Sequence, residues 1–323
     1  MTSTELLNRA DQLRHGRTPF VLATVVRAQR PTSAKPGDSA LVLPDGTVEG
    51  FVGGVCAEST VQLQGLRLLE TGESVLLRIT PGGAEGATER GADGGGAEGE
   101  GLVTVANPCQ SGGTLDIFLE AHLPPLLVHV LGHAPIARSL LDVGRALGYD
   151  ARPAEPGTPL PVDLDAVVIA SHGRDEEASL AAAVRAGVPY VGLVASPRRG
   201  AAVLSGLGLT PQERARVHTP AGLDIGARTP AEIAVSVYAE VIAVRPRPAA
   251  RPAARPGGHP GADEPVASPR PDAEAVDPVC GMTVAVTPGT VAVTGQGGGA
   301  VYFCGPGCRH AYTDDPTRYA HAS

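Results

Sequence analysis

Three apolar runs, each closed by a turn and followed by a helical pattern, limit what this chain can fold into more than any other feature. Leu127–Leu131 is followed by Gly132 and a helical pattern over 135–147, with proline at its first position and Gly148 just past its end. Residues 165–170 lead through Ser171-His172-Gly173 into a helical pattern over 176–186, and residues 188–194 lead into another that begins at Ser196-Pro-Arg-Arg199. Thr229-Pro-Ala-Glu232 is a capping box that opens a helix through Val244. Strands this apolar need cover on both faces. Strands alternating with helices predict a parallel, doubly wound sheet over residues 123–245.

Residues 1–122 predict a separate, mixed α/β domain. A short helix over 4–13 shows Leu6, Leu7, Ala10 and Leu13 on one face, with Gly16 as its stop. A β-rich run follows at 20–26, then a hairpin pattern of 41–43 and 47–52 around Asp45-Gly46. An amphipathic helix is predicted over 58–69, closed by Gly72, and strands at 75–79, 102–106 and 115–119. Two segments lack the apolar residues that a core needs. Residues 81–101, rich in Gly and Glu, read as a flexible acidic insert, and residues 246–275, rich in Pro, Ala and Arg, as a disordered linker. The remainder, 276–323, is a small module carrying three of the five cysteines.

A formal charge of −8 argues against a non-specific nucleic-acid partner or an anionic membrane surface. No run is long and apolar enough for a membrane span, and the first residues, MTSTELLNRADQ, lack the apolar segment of a secretory signal. With an odd number of cysteines as well, the expectation is a reducing, cytoplasmic setting in which Cys serves metal or sulfur chemistry.

Two Gly/Cys segments stand out in the first domain. One is Gly53-Gly54-Val55-Cys56-Ala57-Glu58, between a strand and a helix; the other is Cys109-Gln110-Ser111-Gly112-Gly113, just before a strand. Glycine lets the backbone approach a ligand closely, N–H groups at a helix start attract anions, and a thiol beside them gains thiolate character. Together they could form one pocket for an anionic, sulfur-bearing ligand; a Gly-Gly turn with a buried Cys also serves purely structural ends. In the doubly wound unit, Gly132-His133-Ala134-Pro135 holds only the first glycine of a G-x-G-x-x-G fingerprint, and Asp150 stands too early for the expected acidic partner, so NAD or FAD binding is not expected. His133 and His172 fall at strand-to-helix turns, where ligands or ordinary loop histidines are found.

At the C-terminus the pattern is Cys280-x23-Cys304-x3-Cys308, with His310 two residues further on. Thiolates suit zinc and other borderline or soft metals, four donors complete a tetrahedron, and a module this small needs more than burial to hold it. The expected donors are Cys280, Cys304, Cys308 and, from spacing, His310. A reduced thiol cluster that only packs is the alternative.

DPVCGMTV followed by VYFCGPGCRHAYTDDPTRY resembles the YHS domain, a cysteine-containing module of metal-handling proteins. In the body, Arg30-Pro-Thr-Ser33 with Pro36-Gly37, then VLPDGTVEGFVGGVCAE, CQSGGTLDIFLE and HTPAGLDIGARTPAEIAVSVYAEVIA, resemble in the same order the XdhC/CoxI family. These are accessory proteins of xanthine dehydrogenase and carbon monoxide dehydrogenase. The resemblance implies an N-terminal domain followed by a Rossmann-like one. It implies a chaperone rather than an enzyme, one that binds molybdenum cofactor (molybdopterin), protects it or assists its sulfuration, and delivers it to an apo molybdenum hydroxylase. A cysteine desulfurase is a candidate sulfur donor and a homodimer a candidate assembly. On that reading Cys56 and Cys109 contact the molybdenum or its sulfur ligands, with Gly53, Gly54, Gly112 and Gly113 beside them. Glu58, Ser33 and Arg30 sit in matching motifs, and the Arg30 guanidinium suits the cofactor's phosphate. Two other functions stay open at this point: a nucleotide-dependent oxidoreductase, and a metal-trafficking scaffold dominated by the C-terminal module.

Overall fold

The computed structural model describes residues 1–82, 101–107, 113–171, 173, 175–245, 274–295 and 298–319. Cys109, Gly112, His172, most of the Gly/Glu insert and nearly all of the expected linker therefore lie outside the described residues. The chain divides into two units, one made of Met1–Pro124 with Pro248–Ser323, the other of Pro125–Arg247.

The first unit opens with helix α1 (Ser3–His15), whose Thr2 cap and Glu5 satisfy each other's backbone N–H groups. Strands β1 (Phe20–Gln29), β2 (Ser39–Val42) and β3 (Val48–Gly50) follow, then helix α2 (Val55–Thr71) and strands β4 (Val75–Pro81), β5 (Leu102–Asn107) and β6 (Thr114–His122). They form a six-stranded sheet in the order β3-β2-β1-β6-β4-β5. Only β4 and β5 pair in parallel; the other neighbours run antiparallel, and β1 shifts register between Val25 and Arg27. The two-residue period sorts the side chains. Val21, Ala23, Val25, Ala40 and Val42 pack with Ala57, Val61 and Leu68 of α2, whereas Phe20, Leu41 and Leu43 pack with Leu6, Ala10 and Leu13 of α1. The sheet is thus covered by one helix on each face.

The second unit runs β7 (Leu127–Leu131), α3 (Pro135–Ala146), β8 (Asp150–Ala154), β9 (Ala166–Ile169), α4 (Glu176–Arg185) and β10 (Tyr190–Leu193). It ends with α5 (Pro197–Gly206), α6 (Pro211–Arg214), β11 (Val217–His218) and α7 (Pro230–Val244). Its five strands are all parallel, in the order β11-β10-β9-β7-β8. Leu127, Val167, Ile169 and Val191 face Leu180, Ala183 and Val184 of α4, while Val128, Val130, Val168 and Tyr190 face Leu140 of α3 and Val237, Tyr238 and Val241 of α7. The doubly wound sheet expected from the apolar runs is present. Two strands were not expected, and they form the two edges of the sheet: β11 is only two residues long, and β8 carries Asp150, Arg152 and Pro153, polar residues and a proline that an edge strand tolerates.

Back in the first unit, the C-terminal module consists of β12 (Glu274–Val276), β13 (Thr283–Ala285), β14 (Val291–Thr294), β15 (Ala300–Phe303), helix α8 (Pro306–Asp314) and a 3-10 turn (Pro316–Tyr319). Its strands form two antiparallel pairs, β12 with β13 and β14 with β15. Met282, Val284 and Cys304 make its buried centre, and Cys56 of α2 packs against them. Among the described residues no helix is long and apolar enough to cross a membrane.

Candidate cofactor site and thiol cluster

One end of the six-stranded sheet gathers most of the residues singled out in the first domain. Gly53 adopts φ +137°, and a Cβ there would lie 3.1 Å from the Ala57 Cβ and 3.4 Å from the Leu115 side chain. Only glycine makes that turn against β6 without strain. It delivers the chain into α2, which begins at Val55 with Gly54 as a cap lacking a side chain. The helix thus starts earlier than its apolar pattern suggested. Cys56 lies in its first turn instead of a preceding loop, and exposed Glu58 shares that turn. Gly113 sits so close to the loop after β1 that a Cβ would collide with the Pro31 carbonyl. Arg30 and Ser33, in the same loop, are exposed, while Ala34 is buried near Gly53. Loop 30–34, Gly53 and Gly113 therefore meet.

The second cluster is built by the C-terminal module. Cys280 follows Asp277 in a turn completed by Gly281, and Cys304 and Cys308 flank the start of α8. The Cys280 and Cys304 sulfurs are 3.7 Å apart, those of Cys304 and Cys308 3.6 Å apart. A carboxylate oxygen of Asp277 and the three sulfurs all lie within 4.8 Å of one another. Asp277 is fully buried, accepting the Cys304 N–H at 2.8 Å on one oxygen and the Val279 N–H at 2.9 Å on the other. It was missed from sequence; the signal was an acidic residue three positions before a Cys-Gly pair. His310 does not join this group: its side chain is 81% exposed and its Nε2 lies 3.6 Å from Asp314. Two positions along an α-helix turn a side chain by about 200°, so His310 points away from Cys308.

The hydrogen bonds set the protonation of this cluster. When Cys280 ionises, the Cys304 thiol donates to it and lowers its pKa against the opposing effect of burial. The same bond, with a second one to Cys56 and burial, holds the Cys304 thiol up. Burial pushes Cys308 up to about 12. Burial would raise Asp277 too, but the two N–H groups outweigh it and hold its carboxyl below the ordinary value. A cleft of about 710 Å³ opens on the cluster, with Val55 and Cys56 of α2 on its wall beside the three module cysteines.

In the second unit, Gly132 has φ +121°, and a Cβ there would collide with the Ala170 carbonyl, so this glycine serves close packing of β7 on the end of β9. His133 is exposed, 3.3 Å from Glu155. Arg199, in the first turn of α5, is paired with buried Glu176, which also accepts the Ser171 hydroxyl at 3.1 Å and the Gly173 N–H at 2.7 Å.

The chain is 27% identical over 272 residues to the uncharacterized protein YqeB of Escherichia coli, which covers 74% of this chain and 46% of that protein. It thus spans about half the length of that relative. It is 23% identical over 265 residues to the molybdenum cofactor insertion chaperone PaoD of Escherichia coli, covering 70% of this chain and 83% of that protein. A solved structure described as a xanthine dehydrogenase from Bacillus halodurans matches 76% of this chain and 96% of its own at 16% identity, with a TM-score of 0.35. Residues 13–80 match the XdhC and CoxI family, and residues 128–241 match the XdhC Rossmann domain. The two matched stretches fall one in each of the two units described above.

Proposed function

We propose that this chain is an accessory protein that binds molybdenum cofactor at the sheet end formed by loop 30–34, Gly53 and Gly113, and delivers it to an apo molybdenum hydroxylase. The observation that carries the reading is the position of Cys56, a thiol in the first turn of a helix capped by Gly54 and entered through Gly53, which packs close to Ala34 of loop 30–34. The N–H groups of such a helix start favour an anionic ligand and the thiolate form of a nearby cysteine. The likeness to a molybdenum cofactor insertion chaperone supports the choice of cargo. In this reading Cys56 contacts the molybdenum or its sulfur ligands, and Gly53 and Gly54 admit them to the backbone. Arg30 and Ser33 hold the phosphate end, and Glu58 borders the site. Cys109 and Gly112 precede Gly113 in the chain and enter the same reading. Sulfuration of the cargo calls for a donor such as a cysteine desulfurase, and a second copy of the chain is a candidate partner. The C-terminal module, similar in sequence to YHS domains, holds a metal at Cys280, Cys304 and Cys308, with the protein acting in the cytoplasm.

The test is co-purification from a host that makes the cofactor. Molybdenum and pterin near one per chain are expected in the wild type. Cys56→Ala and Cys109→Ala, with circular dichroism unchanged, should each lose roughly tenfold or more. A folded wild type that carries neither molybdenum nor pterin despite ample supply would overturn the reading.

A further inference from the structure

We propose that Cys56 joins Cys280, Cys304 and Cys308 as the fourth thiolate of a tetrahedral site for a borderline or soft cation, zinc first, which fastens the C-terminal module over the start of α2.

The spacing favours this. A tetrahedral zinc–thiolate site with Zn–S of about 2.3 Å places its sulfurs about 3.8 Å apart. The two measured separations, 3.7 and 3.6 Å, are close to that. They are far from the roughly 2.05 Å of a disulfide. The module alone supplies three such sulfurs. Cys56 stands on the cleft wall with them and packs against the module's buried centre of Met282, Val284 and Cys304. The other candidates for the fourth position are weaker. Asp277 brings an oxygen within 4.8 Å of the three sulfurs, but each of its oxygens accepts an N–H, from Cys304 or Val279, which places it to hold the two cysteine turns in register. His310 faces away.

Charge supports the same set. Four thiolates around a divalent ion leave two negative charges. Cys56 lies in the first turn of α2 and Cys308 in the first turn of α8, so two helix starts, each worth roughly half a positive charge, converge on them. The surrounding contacts give Cys56 its place. The Ser59 hydroxyl donates to the Cys304 carbonyl at 2.7 Å, and Arg67 of α2 grips Glu274 of β12 through both carboxylate oxygens. A module with so small an apolar centre gains most from an ion that ties it to a larger body. On the cofactor reading proposed above, an ion held this way also withdraws Cys56 from the cargo, so metal and cofactor compete for one thiol.

The test uses the full chain, reduced, freed of metal and without molybdenum cofactor, with cobalt(II) as the probe. One ion per chain is expected, with the ligand-field bands of tetrathiolate cobalt, displaced by zinc. Cys56→Ser should weaken binding roughly 10- to 100-fold and remove about a quarter of the sulfur-to-metal charge-transfer intensity. His310→Ala should bind as the wild type does. In the wild type, zinc should slow alkylation of Cys56 about tenfold, read on its peptide by mass spectrometry, which needs no variant to fold. Cobalt bound by Cys56→Ser with wild-type affinity and spectrum would overturn the proposal. So would absence of binding by the wild type, or alkylation of Cys56 at an unchanged rate while the other three cysteines are protected. Because no cofactor is present, these failures would leave the cargo reading standing, and loss of the cargo reading would leave the metal titration intact.

Discussion

Ser59, in the second turn of α2, donates its hydroxyl to the backbone carbonyl of Cys304 at 2.7 Å, joining the first domain to the strand end that carries the buried thiol. A single hydrogen bond of this kind contributes about 1 kcal/mol. The Arg67–Glu274 pair is bidentate but partly exposed, which limits it to about 0.5 kcal/mol. The double variant Ser59→Ala/Arg67→Ala should therefore loosen the module by about 1.5 kcal/mol, roughly a tenfold faster hydrogen exchange across residues 280–308. Unchanged exchange there would show that these two contacts do not hold the module down.

The second unit should be sensitive to acid through Glu240. Burial alone would raise its pKa. The Tyr190 hydroxyl at 2.7 Å, the Gly222 N–H at 2.8 Å and the His218 ring nitrogen at 3.0 Å outweigh burial and hold it below its ordinary 4.5. A carboxylate with a lowered folded pKa adds stability that is fully present above the unfolded value and is lost as pH falls through the folded one. Glu240→Gln should cost about 1–2 kcal/mol at pH 7. The difference from wild type should shrink steadily below about pH 4.5, read as urea midpoints. A difference that stays constant down to pH 3 would sink this assignment.

Gly144 sets helix propensity against packing. Alanine is the better helix former by about 1 kcal/mol, and Gly144 lies within α3. A Cβ there would lie 2.8 Å from the Ala151 Cβ and collide with the hydroxyl of Tyr238, which donates to the Leu140 carbonyl at 2.8 Å. Overpacking of this kind costs about 1–3 kcal/mol, so Gly144→Ala should lower the melting temperature in spite of its propensity. A gain in melting temperature would show that Tyr238 moves aside at no cost.

What the sequence revealed depended on how local each signal was. The strands of the second unit were legible because β7, β9 and β10 are buried on both faces and must be apolar throughout. Strand β8 was not, because an edge position lets Asp150, Arg152 and Pro153 stand in a strand. The three module cysteines could be grouped by spacing alone. Their further neighbours could not: His310 was the nearest donor in the chain, while the structure brings in Asp277, marked only by its place three positions before Cys280-Gly281, and Cys56 from another domain, an approach that no local pattern encodes. The start of α2 was placed late because Gly53-Gly54-Val55 carries no capping side chain to mark it.

Because α2 and the C-terminal module are parts of one polypeptide, the encounter between Cys56 and the other three thiols carries no concentration dependence. Dilution that separates a two-protein complex would leave this contact closed. Only an event at the contact itself opens it, such as the loss of one sulfur, a changed side chain at Ser59, or enough salt to screen Arg67 from Glu274.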